Sequence, residues 1–143
     1  MGTTARVQWS GKGELKRRVE VEVEVEGEGE GEGEGRWLID LGGNLKAVKG
    51  DWRVGVLGGD VFTLKEGEAC ATSAEYFRGE HIRDGISGEK ISNGVYSVTV
   101  IHPTSAMIAD ALSTIMFLMG SEKGEQFLKE HYPEARSCWI FKE

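Results

Sequence analysis

Hydrophobic and polar positions alternate in several short stretches and give way once, between Ala106 and Met119, to a nearly unbroken apolar run. The alternating stretches predict strands at Ala5–Trp9, Trp37–Leu41, Leu45–Val48, Asp51–Val56, Val61–Leu64, Ser97–Ile101 and Ser137–Phe141. The first of these reads as an edge strand. Turns are expected at Gly42-Gly43, Gly58-Gly59-Asp60 and Glu66-Gly67-Glu68, where glycine or acidic residues interrupt the pattern. Pro103 ends the Ser97–Ile101 strand, and Thr104 or Ser105 can cap a helix that stops at Gly120. Ala106, Met107, Ile108, Ala109, Ala111, Leu112, Ile115, Met116, Phe117, Leu118 and Met119 leave that helix no wide polar face, so it is expected to lie inside the domain. Ser121 is then expected to cap a second, amphipathic helix over Glu122–His131 with Phe127 and Leu128 turned inward. The sum is an α+β domain with a mainly antiparallel sheet and about two helices.

One tract departs from this design. Val19–Gly35 consists of four Val-Glu pairs followed by four Gly-Glu pairs and a glycine. Valine and glycine codons differ by one base, which points to an expanded six-base repeat. The Val-Glu half has strict period two and can pair as a strand, with valine inward and glutamate outward. The Gly-Glu half can bury nothing and is expected to act as a linker that repels itself. With that tract as an internal extension, residues 1–143 read as a single compact domain, the right size for one core.

The net charge of −7 changes little, because 8 of the 24 acidic residues lie between Glu20 and Glu34, and the remaining 16 balance 17 Lys and Arg. No basic patch for nucleic acid stands out. Cys70 and Cys138 are far apart with no CxxC pair, so zinc and disulfide frameworks are not expected. The first residues show no signal peptide, lipobox or membrane segment, and a cytoplasmic setting is the expectation.

Candidate chemistry centres on Asp110, the one charge in the apolar helix, with Thr114 one turn away on the same face. A carboxylate and a hydroxyl so placed are hard oxygen ligands for magnesium or calcium; the alternative is a structural polar plug, with Asp110 bonded to Thr114 and a nearby N–H. His81 and Asp84 share a polar loop, Gly79–Gly88, and can form a general base with its orienting carboxylate, or simply a surface loop. The run Ala69–Ala74 suits tight packing or a hydroxyl-lined pocket.

The ordered series LIDLGGNLKAVKG-DWRVGV, ACATSAEY, HIRDGISG and SVTVIHPTSAMIADALSTIMFLMG-SEKG resembles the carboxy-terminal half of the ApbE-type FAD:protein FMN transferases. MGTTARVQW resembles that family's opening strand, and the repeat stands where the family has a long helical segment, which is missing here. The resemblance implies a truncated ApbE-like (T-fold-like) core. It also implies magnesium-dependent transfer of FMN from FAD to a threonine of an acceptor flavoprotein, with release of AMP. On the family's motifs, Asp110 and Thr114 correspond to the magnesium ligands. His81 and Asp84 belong to the catalytic loop HxxDPxTG, in which Gly85 replaces proline and Ser87 replaces threonine. Thr72 and Ser73 fall in the ATSG stretch, here ending in Ala74, and Gly42, Gly43 and Asn44 form the GG(N/D) turn at the flavin. FAD and the acceptor are the implied partners, with a homodimer as the arrangement that supplies the missing wall. FAD hydrolysis, and a non-catalytic flavin-nucleotide-binding or structural remnant, are the alternatives.

Overall fold

A computed structural model describes residues 5–10, 23–26, 36–56, 61–75 and 83–142, with side chains from Arg36 onward. The strands are β1 (Ala5–Ser10), β2 (Val23–Glu26), β3 (Arg36–Leu41), β4 (Asn44–Lys49), β5 (Trp52–Gly55), β6 (Val61–Leu64), β7 (Ala69–Ala74) and β8 (Val95–His102). Two helices follow, α1 (Ala106–Met119) and α2 (Ser121–His131), and β9 (Arg136–Phe141) closes the described chain. Seven strands form one sheet in the order β2-β1-β3-β4-β7-β8-β9, while β5 and β6 pair as a separate hairpin. Every pairing is antiparallel except β1 with β2. The α+β class expected from the sequence is therefore what the chain adopts.

Register sorts side chains to two faces. Ala69, Ala71 and Ser73 of β7 lie opposite His102, Val100 and Val98 of β8 and share one face. On that face Val95, Val98 and Val100 pack with Leu112, Met116 and Phe117 of α1 and Leu128 of α2. Cys70 and Ile101 belong to the other face, where they join Leu38, Ala47 and Leu64, with Trp52, Val54 and Phe62 of the hairpin packed alongside. The result is a sheet with helices on one side and a small hairpin on the other. Burial in the second cluster pushes the Cys70 thiol up to about 12, so it behaves as a packed apolar group.

Three expectations are corrected and one is extended. The Ala5–Trp9 strand is not an edge, since β2 and β3 flank it. Ala69–Ala74, whose small residues suit tight packing or a hydroxyl-lined pocket, is buried along nearly its whole length, as a strand in the middle of the sheet paired with β4 and β8. Alanine and serine are weak strand formers, but neighbours on both sides and α1 above override propensity. Ser121 does not cap the second helix with its side chain. Gly120 occupies the junction instead, its N–H closing α1 on Met116 O while α2 starts at once.

The third correction concerns α1, which is not buried all round. Ala109, Leu112, Ser113, Met116 and Phe117 face the sheet, while Met107, Ala111, Ile115, Leu118 and Met119 are exposed. Only one helical layer covers this side, so an apolar helix keeps an outer surface. Of the two caps foreseen, Ser105 acts, its hydroxyl accepting from Ile108 N at 3.2 Å. The Gly58–Asp60 turn and the Gly-Glu half of the repeat lie outside the described residues, while part of the Val-Glu half is β2.

Candidate functional site

The edge of α1 against β7 gathers a polar cluster of hydroxyls around one backbone carbonyl. Asp110 is exposed, contrary to the desolvated carboxylate expected of a helix buried all round. Its carboxylate oxygens make no hydrogen bond or ion pair with any other described residue, which overturns the polar-plug reading. What Thr114 bonds is the backbone: its hydroxyl lies 3.3 Å from Asp110 O, the i−4 carbonyl. Ser113, fully buried, donates to the same carbonyl at 2.9 Å. Ser73 reaches across from β7, its Oγ 2.8 Å from Ser113 Oγ and 3.2 Å from Thr114 Oγ1. The structure thus brings together Asp110, Thr114 and Ser73 from the sequence-predicted set, with Ser113 as a member the sequence reading missed. A serine embedded in the apolar arc beside the Asp110 and Thr114 pair was the available signal.

Thr72 goes the other way. Alternation along β7 puts its side chain on the opposite face from Ser73, where its Oγ1 lies 2.7 Å from Thr99 Oγ1. The neighbouring Ser97 Oγ, also on that face, is buried with no hydrogen-bond partner among the described residues.

Gly42 and Gly43 form the two-residue loop between β3 and β4, with φ of 65° and 97°. Positive φ at both positions is the type I′ geometry that matches strand twist, and glycine takes it without strain. Asp40 Oδ1 accepts from Gly43 N at 2.8 Å and holds the tip, while Asn44 opens β4. A Cβ on Gly43 would meet nothing within 4 Å, so the backbone there is open to an approaching ligand.

Asp84 organises its own loop. Oδ1 accepts from Ile86 N and Ser87 N, both at 2.8 Å, and Gly88 N bonds Asp84 O at 2.8 Å. The Ser87 and Ile86 amides hold this carboxyl below the usual aspartate value. Ile86 at the tip is fully exposed. His81 lies outside the described residues.

Three further side chains fix the ends of α1. His102 Nδ1 accepts from Thr104 N and Ser105 N at 3.2 and 3.0 Å, setting the approach to the helix. Asn93 Nδ2 donates to Phe117 O at 2.6 Å near its C-terminus. Lys46 donates to Gly67 O and, at 2.6 Å, to Thr104 O, which ties β4 to the helix start. No group of three or more His, Cys, Asp or Glu converges among the described residues. No helix among them is long and apolar enough to cross a membrane.

Comparison with known proteins adds a family and a set of structures. Residues 30–139 match the ApbE family. The apo flavinyl transferase ApbE of Pseudomonas stutzeri is 28% identical with a TM-score of 0.63, over 76% of this chain and 38% of its own. The flavin transferase ApbE of Vibrio cholerae is 28% identical with a TM-score of 0.60, over 75% of this chain and 39% of its own. The ApbE protein of Thermotoga maritima is 30% identical with a TM-score of 0.58, over 75% and 40%. The chain therefore spans about two-fifths of the length of these structures. No curated protein gives a significant match.

Proposed function

Because this chain belongs to the ApbE family, we propose that it is a compact flavin transferase, moving FMN from FAD to a threonine of an acceptor flavoprotein and releasing AMP. The observation that carries this reading is the exposed Asp110 carboxylate, without a hydrogen bond or ion pair among the described residues and one turn from the Thr114 hydroxyl. Magnesium is a hard cation that takes one or two carboxylates and completes its shell with water and substrate phosphates, and this donor set fits it. Asp110 and Thr114 would hold the ion. When bound, it supplies charge neutralisation on the diphosphate.

The remaining work falls to the protein's own groups. The acceptor threonine oxygen attacks the phosphorus of the FMN half, the P–O bond to the bridging oxygen breaks, and AMP leaves with that oxygen. On the family motif, His81 takes the hydroxyl proton. Asp84 contributes by ordering the loop that follows His81, through its bonds to Ile86 N and Ser87 N. The tip at Gly43 offers open backbone to the flavin, with Asn44 beside it at the start of β4, and Thr72 stands on the sheet face away from α1.

Asp110→Ala tests the reading. We expect magnesium-dependent AMP release from FAD to fall at least about a hundredfold, the scale of several kcal/mol of lost charge stabilisation. The circular dichroism spectrum should stay unchanged, because Asp110 is exposed and its carboxylate bonds no other described residue. Turnover equal to the parent's would remove the metal role. FMN recovered free, rather than on the acceptor, would identify hydrolysis with water as the attacking group.

A further inference from the structure

Resting on the metal-ligand reading of Asp110 and Thr114, we propose that Ser73 is a positioning residue that, together with the Asp110 carbonyl, holds the Thr114 proton inward and so presents that hydroxyl's lone pairs to the cation. The inference follows from counting protons in the cluster of three hydroxyls and one carbonyl. Ser113 Oγ lies 2.9 Å from Asp110 O, and a carbonyl can only accept, so Ser113 donates its single proton there. Ser113 is fully buried, with no solvent to offer another arrangement. At its 2.8 Å contact with Ser73, Ser113 must therefore accept, and Ser73 donates. With its own proton so used, Ser73 can only accept at the 3.2 Å contact with Thr114. The remaining neighbour of Thr114 Oγ1, Asp110 O at 3.3 Å, is also an acceptor. Both inward contacts of Thr114 thus call for its proton.

The consequence is chemical selectivity at one oxygen. An unrestrained exposed threonine rotates its hydroxyl and can donate to a phosphate as readily as it accepts. Held between Ser73 and the Asp110 carbonyl, Thr114 offers lone pairs outward, which suits a cation and not a phosphate oxygen. The same bonds tie the turn carrying Asp110 to β7, because Ser113 and Thr114 both converge on the Asp110 carbonyl. Ser73 thereby acts on the ion from outside its ligand shell, as partners of ligating side chains do in general. Its own oxygen, bonded on two sides and nearly buried at 9% exposure, is turned to the helix.

The test is the affinity for Mn2+, read by electron paramagnetic resonance in the presence of ADP as a diphosphate probe. The parent protein is compared with Ser73→Ala, Ser73→Thr, Thr114→Ala and the double variant Ser73→Ala/Thr114→Ala. Ser73→Ala should weaken Mn2+ binding about tenfold, and Ser73→Thr, which keeps the hydroxyl, should restore most of it. The double variant should bind no more weakly than Thr114→Ala, because Ser73 acts through Thr114. Unchanged Mn2+ affinity in Ser73→Ala, or losses that multiply in the double variant, would overturn the positioning role and leave the metal reading standing. A parent protein that takes up no Mn2+ with ADP would overturn both. A lowered melting temperature with unchanged Mn2+ affinity would mark Ser73 as structural only, and would also overturn the proposal.

Discussion

At Gly124, α2 lies directly against Trp139 of β9 and Met116 of α1. A Cβ added there would sit 3.0 Å from Trp139 Cη2 and 3.3 Å from Met116 Cβ, both in the interior between the helices and the sheet. Trp139 cannot swing away freely, because its Nε1 donates to Glu125 Oε1 at 2.6 Å. Gly124→Ala would gain about 1 kcal/mol of helix propensity, but the overpacking should cost about 1–3 kcal/mol. We therefore expect a net loss in urea denaturation, and a stabilised variant would show that the contact relaxes at no cost. Asp84 makes a second prediction at this scale. Its carboxyl is held below the ordinary value by the Ser87 and Ile86 amides, so the loop's bonds are complete above the ordinary aspartate pKa and are lost as pH falls through the lowered folded value. The Ile86 and Ser87 amide resonances should shift in that acidic window in the parent and show no such titration in Asp84→Ala. Identical profiles would mean that another group orders the loop.

At the scale of elements, α1 carries two surfaces of the same composition and opposite consequence. Phe117, fully buried between the sheet and the second helix, should cost about 3–5 kcal/mol when cut to alanine. Met107, at 80% exposure, and Ile115 lie on the outer side. Replacing both with lysine should change stability by less than about 0.5 kcal/mol each, and should reduce self-association in sedimentation, since an exposed apolar stripe favours contact between molecules. A large loss of stability in that pair would mean that the outer face is packed in solution. The surface ion pair between Arg136 and Glu68, at 2.7 Å, illustrates the opposite limit, since exposed pairs contribute about 0–1 kcal/mol.

In the molecule as a whole, the sheet is continuous but unevenly joined. β7, β8 and β9 pair along most of their lengths, whereas β4 and β7 share only Leu45 with Cys70 and Lys46 with Ala69. Bonds from Ala47 N to Glu68 O and from Gly67 N to Ala47 O, together with Lys46, reinforce that narrow join. The two apolar clusters lie on opposite faces of the sheet. Hydrogen exchange should therefore find β7–β9 with both helices as the slowest-opening unit, and β3–β4 exchanging through a lower-energy opening. Uniform protection across the described strands would show that the join is as strong as the rest.

What the sequence determined by itself was local. Alternation placed most strands to within a residue or two, Ser105 and Gly120 bounded the long helix, Gly42-Gly43 announced a tight turn, and the ordered motifs pointed to the ApbE family that the comparisons bear out. Each of these is set by neighbours in the chain, through torsion preference, capping or periodicity. What only the tertiary structure decided depends on residues far apart in sequence. It made a central strand of Ala69–Ala74, whose composition gave no such sign, because β4, β8 and α1 surround it. It left Asp110 in solvent although its helix reads as buried all round, because the sheet covers one side of α1 and no second layer covers the other. It also joined Ser73 to Ser113 and Thr114 across 40 residues, a contact that no periodicity encodes, because it exists only when β7 and α1 pack face to face.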